Sequence, residues 1–228
     1  MKLRMKKHNC PGKLIVFCGL DGSGKTTQLN LLSSYLKNRP ADVVLTKQPT
    51  DFVRKSGIFR TYMDKEDHGM YDYLSLSLLC ASDRVQHSNK FILPALGDGK
   101  IVISDRYYYS CLANLIARGY SDQKWIYEIS ESVPMPDMVF FMDTDVESAV
   151  KRVRSRPSEK ERYIDLDLQF RLRDIFLKIA EDNDGIVIRT DNSIEDCFEI
   201  VKTSVERIII CLRIYTVCRV SKIKCSPF

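Results

Sequence analysis

The sequence predicts an α/β fold: a five-stranded parallel sheet flanked by helices on both faces, with a short charged lid. Three observations predict it. Five short apolar runs alternate with longer helical patterns, as in a parallel sheet covered by helices. A glycine-rich loop joins the first run to the first helix, and one highly charged segment interrupted by Pro157 breaks the later helical pattern. The runs are Leu14 to Cys18, Val43 to Thr46, Ile101 to Ser104, Met138 to Met142 and Ile186 to Ile188. Helical patterning predicts helices at about 25–37, 68–97, 108–118, 123–132, 145–155, 164–182 and 194–215. Arg154 to Arg162 is expected to be a mobile loop between two of them.

At 228 residues and 44% hydrophobic content, the chain can bury one good core and is short for two domains. The net charge of +5 is unevenly spread. Lys2, Arg4, Lys6, Lys7 and Lys13 at one end and Arg213, Arg219, Lys222 and Lys224 at the other are accompanied by no acid, so the body between is mildly acidic. This argues against a nucleic-acid surface and for solvated tails. The expected organisation is a basic N-terminal extension over 1–12, a single domain over 13–210 and a basic tail over 211–228. The eight cysteines form no CxxC pair or metal-ligand cluster, and several lie in apolar runs, which fits a reduced, cytoplasmic protein. No apolar stretch precedes Pro11 and Gly12, and no run of 18 apolar residues occurs, so neither secretion nor a membrane partner is expected. Cys211, Cys218 and Cys225 fall seven apart, as on one face of a continued last helix. His8, His68 and His87 lie in no nucleophile–base pattern and are expected on the surface. Asp143 and Asp145 most simply end a strand and cap the next helix.

The chemistry lies in two motifs. Gly19 to Thr26, GLDGSGKT, fits the phosphate loop GxxxxGK[ST] between a strand and a helix. Gly19, Gly22 and Gly24 let the backbone curl so that N–H groups, with those of Ser23, Lys25, Thr26 and Thr27, converge on phosphate oxygens at a helix N-terminus. Lys25 should reach the β- and γ-phosphates of ATP, and the Thr26 hydroxyl should ligate Mg²⁺. The third apolar run ends in Asp105 and Arg106. In a doubly wound sheet these face the same crevice as the loop, so Asp105 is expected to help hold Mg²⁺ through water and Arg106 to clamp a second phosphate. Arg152, Arg154, Arg156, Lys160 and Arg162 supply five cations within eleven residues, of which Arg152 belongs to the preceding helix. Arg156 and Arg162 lie in the loop itself and are the expected catalytic pair, because phosphoryl transfer is catalysed mostly by positioning and charge neutralisation.

Over about residues 13–210 the chain resembles the thymidylate kinase family. The stretches LIVFCGLDGSGKTTQ, CASDRVQHSNKFILPAL, GKIVISDRYYYSCLA, PDMVFFMDTDVESAVKRVRSR and EKERY occur in the right order. The resemblance implies a P-loop nucleoside-monophosphate-kinase-like fold and transfer of the γ-phosphoryl group of ATP to dTMP, giving dTDP. It implies that Asp21 contacts the acceptor sugar, that Arg60 and Arg106 hold the acceptor phosphate, that Arg84 hydrogen-bonds the base and that Cys111 lines the acceptor site. It makes 154–162 the ATP-side lid, with Gly22 after Asp21 and arginines in the lid as in the bacterial arrangement. It also implies a homodimer through the helices near 68–97 and 108–118. Three departures bear on base choice: Cys80 stands where many relatives have a stacking phenylalanine, Leu115 where bacterial relatives often have glutamine, and Lys47 to Asp51 replace the bacterial REPGG.

Other readings fit less well. A deoxynucleoside kinase has no need of the phosphate clamp Arg60 and Arg106. A GTPase-type switch needs an NKxD-like reader, and the nearest string, Thr46 to Pro49, has Pro49 in place of the aspartate. A catalytically silent scaffold would not need Lys25, Thr26, Asp105 and the lid arginines intact.

Overall fold

Each of the five apolar runs forms a strand, and the three central strands bury their side chains alternately on two opposite faces. The computed structural model describes the backbone of residues 1–39 and 41–221 and the side chains of all of these up to residue 209. The strands are β1 (Lys13–Gly19), β2 (Val43–Lys47), β3 (Ile101–Asp105), β4 (Met138–Asp143) and β5 (Ile186–Arg189). All pairings are parallel, in the order β2-β3-β1-β4-β5. Leu14, Val16 and Cys18 of β1 enter one core, with Leu112, Phe141, Leu172 and Phe176, while Ile15 and Phe17 enter the other, with Leu29, Leu32, Phe140 and Val201. A strand covered on both sides must be apolar throughout, which is why these runs do not alternate with polar residues.

The covering helices are α1 (Lys25–Lys37), α2 (Asp51–Arg54), α3 (Gly57–Asp64), α4 (Tyr73–His87), α5 (Leu93–Gly97), α6 (Tyr108–Ala117), α7 (Trp125–Ser130), α8 (Val146–Arg154), α9 (Leu166–Asp182) and α10 (Ile194–Ser221). The helix expected over 68–97 is three pieces. It starts only at the Asp72 cap, which accepts from the Ser75 amide at 2.8 Å, and it widens into a π-turn over Ser88–Ile92. Pro94 follows directly, where it lacks an N–H and crowds the preceding turn. Asp145 caps α8 as expected, accepting from the Ser148 amide at 2.8 Å. The charged segment contains a short 3-10 turn over Pro157–Glu159. The face proposed for Cys211, Cys218 and Cys225 lies outside the described residues. Among the described residues no helix is long and apolar enough to cross a membrane.

The N-terminal twelve residues are not a solvated tail, which corrects the sequence reading. Leu3 and Met5 are buried in the core, the Leu3 amide donates to Asn183 Oδ1 at 3.0 Å, and the Met135 amide donates to the Lys6 carbonyl at 2.8 Å. His8, expected on the surface, is buried at 2.9 Å from Asp137, whose other carboxylate oxygen takes the Lys13 ammonium at 2.8 Å. Burial works to raise the Asp137 carboxyl, but the hydrogen bonds from His8, Lys13 and the Leu14 amide prevail and lower it. His87 is half-buried and meets Thr46 Oγ1 at 2.9 Å and the Gln48 side-chain amide at 3.0 Å.

This strap has a measurable consequence. Leu3→Ala should lower unfolding free energy by about 2–4 kcal/mol, the usual loss for emptying a buried leucine site, in urea denaturation of the full chain. A free N-terminal tail would leave the midpoint unchanged.

Candidate active site

The chain turns from β1 toward β2 on one side and from β3 toward β4 on the other. The carboxyl ends of the adjacent strands β1 and β3 therefore open a crevice, the usual ligand site of such sheets. The loop after β1 lines it with backbone. Gly22 has φ +83°, and a Cβ there would lie 2.2 Å from the Ala149 carbonyl, so only glycine lets the loop pass under α8. Gly24 caps α1 in the left-handed region, and no acid occupies the first turn, which leaves that positive helix end available to an anion. Gly19 packs against the Met142 carbonyl, Ser23 is buried with its hydroxyl unpartnered, and Thr26 and Thr27 are exposed at the start of α1. Lys25 is buried and donates to the Leu20 carbonyl. Burial and the neighbouring Arg106 pull its ammonium down to about 8, against Asp21 and Asp105.

At the end of β3, Arg106 has φ +69°, a strained value for a residue with a side chain. It is held there by its amide's bond to the Phe17 carbonyl at 2.8 Å and by Ser104 Oγ, which donates to the Arg106 carbonyl at 2.7 Å. This backbone turn aims the guanidinium back across the crevice at Asp21, 2.5 Å away. Asp21 also takes Arg162 from the lid at 3.1 Å. Burial alone would raise the Asp21 carboxyl, but Arg106, Lys25 and Arg162 together hold it well below the usual range. Asp105 is buried, with one oxygen 3.2 Å from the Lys47 ammonium and the other without a partner.

A cavity of about 620 Å³ extends from Asp21 between α3, α4, α6 and the lid. Its lining brings together Asp21, Arg60, Arg84, Arg106, Cys111, Arg156 and Arg162, which are far apart in sequence. Lys25, Thr26, Thr27, Asp105 and the loop glycines stand outside that lining, on the phosphate-loop side, with Asp21 between the two parts. Arg60 pairs with Asp64 at 2.5 Å within α3. Arg84 is buried and donates to the Tyr107 carbonyl at 3.3 Å and the Cys80 carbonyl at 2.9 Å. The Cys111 sulfur lies 3.6 Å from the Ser77 carbonyl. The lid is pinned: Arg162 donates to the Met63 carbonyl at 3.0 Å and to Glu159 at 2.8 Å as well as to Asp21. Arg152 lies outside the lid, as expected, and donates to the Gly22 and Thr190 carbonyls at 3.4 and 3.2 Å.

Leu115 is buried in the core and does not face the cavity; its neighbour Asn114 does, which corrects the significance given to position 115. Sequence reasoning also missed Tyr62, Tyr73, Asn114 and Arg118 in the lining. The spacing of Cys111, Asn114 and Arg118 on one helical face was the available signal for two of these. Tyr62 sits on α3, an element the sequence reading left out.

The thymidylate kinase family model matches residues 17–201. A relative from Pyrococcus horikoshii named "Probable thymidylate kinase" is 40% identical over 172 residues, covering 75% of this chain and 83% of that protein. One of the same name from Thermococcus gammatolerans is 37% identical over 205 residues, covering 87% and 98%. The crystal structure of thymidylate kinase from Ehrlichia chaffeensis superposes with a TM-score of 0.66 at 30% identity, covering 85% of this chain and 98% of that one.

The depressed Lys25 gives a pH test. As pH rises through about 8 the free protein should lose the Lys25 charge, so kcat/KM for a nucleoside triphosphate should fall about tenfold per pH unit beyond it. At saturating triphosphate, bound phosphate charge keeps the ammonium protonated, and kcat should stay flat to higher pH. Parallel pH profiles for the two parameters would count against Lys25 as the phosphate ligand.

Proposed function

This chain belongs to the thymidylate kinase family, and we propose that it transfers the γ-phosphoryl group of ATP to dTMP, giving ADP and dTDP, with the residues just described. One observation carries the assignment of roles. A single carboxylate, Asp21, joins the phosphate loop to Arg106 on the acceptor side and to Arg162 in the lid, so the groups that handle both nucleotides meet at one point.

The amides from Gly22 to Thr27 and the Lys25 ammonium hold the donor phosphates. Arg106 and Arg60 hold the acceptor phosphate, and Asp21 accepts a hydrogen bond from the acceptor sugar. Arg84 donates to the base beside Cys111. Arg156 and Arg162 face the negative charge that spreads over the transferring group, in a site the lid closes against water. Mg²⁺ suits the remaining ligands. The unpartnered buried oxygen of Asp105 and the exposed Thr26 hydroxyl are oxygen donors, and Mg²⁺ takes one or two such side chains with waters and phosphate oxygens. Accordingly, its site requires no cluster of three His, Cys, Asp or Glu, and among the described residues there is none. When bound, Mg²⁺ supplies charge neutralisation at the β- and γ-phosphates. The reading includes a reduced, cytoplasmic setting, supported by free thiols at Cys10, Cys18, Cys80, Cys111 and Cys197. It also includes a homodimer through α4 and α6, supported by the exposed Leu78 on α4.

Steady-state kinetics with ATP and a panel of dTMP, dUMP, dCMP, purine monophosphates and thymidine test the assignment. An arginine donor suits the C4 carbonyl of thymine and meets an amino donor in cytosine, so dCMP should be poorer in kcat/KM by roughly tenfold to a hundredfold. With Cys80 in place of a stacking ring, dUMP should remain a weaker, measurable substrate. A preference for dCMP, a purine monophosphate or thymidine would overturn the substrate. Arg162→Ala should lower kcat by about 10²-fold while the KM for dTMP moves only severalfold, because its charge acts on the transition state. A change in KM alone would make Arg162 a binding residue.

A further inference from the structure

The stripe of α6 that faces the cavity runs from Ser110 and Cys111 to Asn114 and then, at the helix C-cap, to Arg118. The Arg118 guanidinium lies 4.4 Å from the centroid of the Tyr73 ring on α4 and 5.5 Å from that of Tyr62 on α3. The two rings meet edge to face at 5.4 Å. A guanidinium held against an aromatic face keeps its N–H groups in plane, pointing away from the ring. The Arg118 side chain makes no hydrogen bond or ion pair to any described residue, and its Nε is buried without a partner. Three other arginines that line the cavity are engaged: Arg60 with Asp64, Arg106 with Asp21, and Arg84 with two carbonyl oxygens. A buried donor with no acceptor is rare in a folded protein, and in a cavity it marks a place for a ligand atom or a water.

We infer that Arg118 is a specificity-determining residue that donates, with Arg84, to the C4 carbonyl of the acceptor's pyrimidine ring. The inference rests on the dTMP kinase reading and extends it to a residue to which the family resemblance assigns no role. Arg84 has already committed Nε and Nη1 to main-chain oxygens, so it offers the base only part of its fork. A carbonyl oxygen has two lone pairs and can take a donor from each arginine. The groups at this end of the cavity act on one another. Burial raises the Tyr73 hydroxyl above its ordinary value, with Arg118 the largest opposing charge and Cys111, Cys80 and Arg84 also within range. Cytosine carries an amino group at C4, which would face Arg118 donor to donor.

The experiment compares wild type, Arg118→Met and Arg118→Lys by kcat/KM for dTMP, dUMP and dCMP at saturating ATP. Methionine keeps the apolar stem against Tyr73. Lysine keeps a cation over the ring and loses the planar fork, so it guards against a methionine variant that folds poorly. Arg118→Met should lower kcat/KM for dTMP and dUMP at least tenfold, mostly through KM, with little change for dCMP, so that the dTMP to dCMP ratio falls at least tenfold. Arg118→Lys should lower that ratio at least threefold. A ratio unchanged in both variants, whether through equal losses on all three substrates or through no loss, would overturn the inference and leave Arg118 a brace between α3 and α4. Failure of the kinase reading itself would be seen separately, as a wild-type enzyme that does not prefer dTMP.

Discussion

The site depends on one carboxylate surrounded by cations. Lys25, Arg106 and Arg162 converge on Asp21 from the phosphate loop, the end of β3 and the lid. Three positive groups brought together in a partly dry crevice would repel one another, and Asp21 is the counter-charge that lets them coexist before any nucleotide arrives. On the proposed reading, phosphate oxygens entering the crevice meet cations that are already oriented. The reorganisation that water would need is thereby done in advance by the fold. Asp21 and Lys25 take opposite sides of the same arrangement: the acid is held well below its ordinary range and the base is pulled down to about 8.

The sheet is what makes that meeting possible. The parallel order places the loop after β1 beside the turn after β3, and the left-handed Arg106 backbone directs its side chain across the gap. Glycine at position 22 lets the loop approach the Ala149 carbonyl closely enough to lie beneath α8, the helix that leads into the lid. Packing on both faces of the sheet thus fixes strand ends, and the strand ends fix charges.

Much of this was legible in the sequence because it depends on local rules. All five strands, α1, the Asp145 cap and the phosphate loop follow from apolar runs, capping residues and glycine spacing. What was not legible depends on distant contacts. Helix α3 has no buried residue and is rich in the β-branched and aromatic residues Ile58, Phe59, Thr61 and Tyr62. Contacts from Arg162 and Arg118, about 99 and 56 positions away in the chain, hold it in place. The N-terminal strap was misread because its lysines and arginine dominate its composition, while Leu3, Met5 and His8 turn inward. Leu115 and Asn114 show the limit of positional likeness: a shift of one residue on a helix turns a side chain from cavity to core.

The bond from Arg162 to the Met63 carbonyl joins the lid to α3. On the proposed roles, this bond ties the cover on the donor side to the cover on the acceptor side, so that they act as one piece. Whatever one nucleotide gains by drawing that piece shut lowers the work left to the other. Linkage requires the advantage to be mutual and equal: ATP tightens dTMP by the same factor by which dTMP tightens ATP. On the same proposed roles, the side chain that neutralises charge also couples the two sites, so the enzyme is expected to close most firmly when both substrates are present.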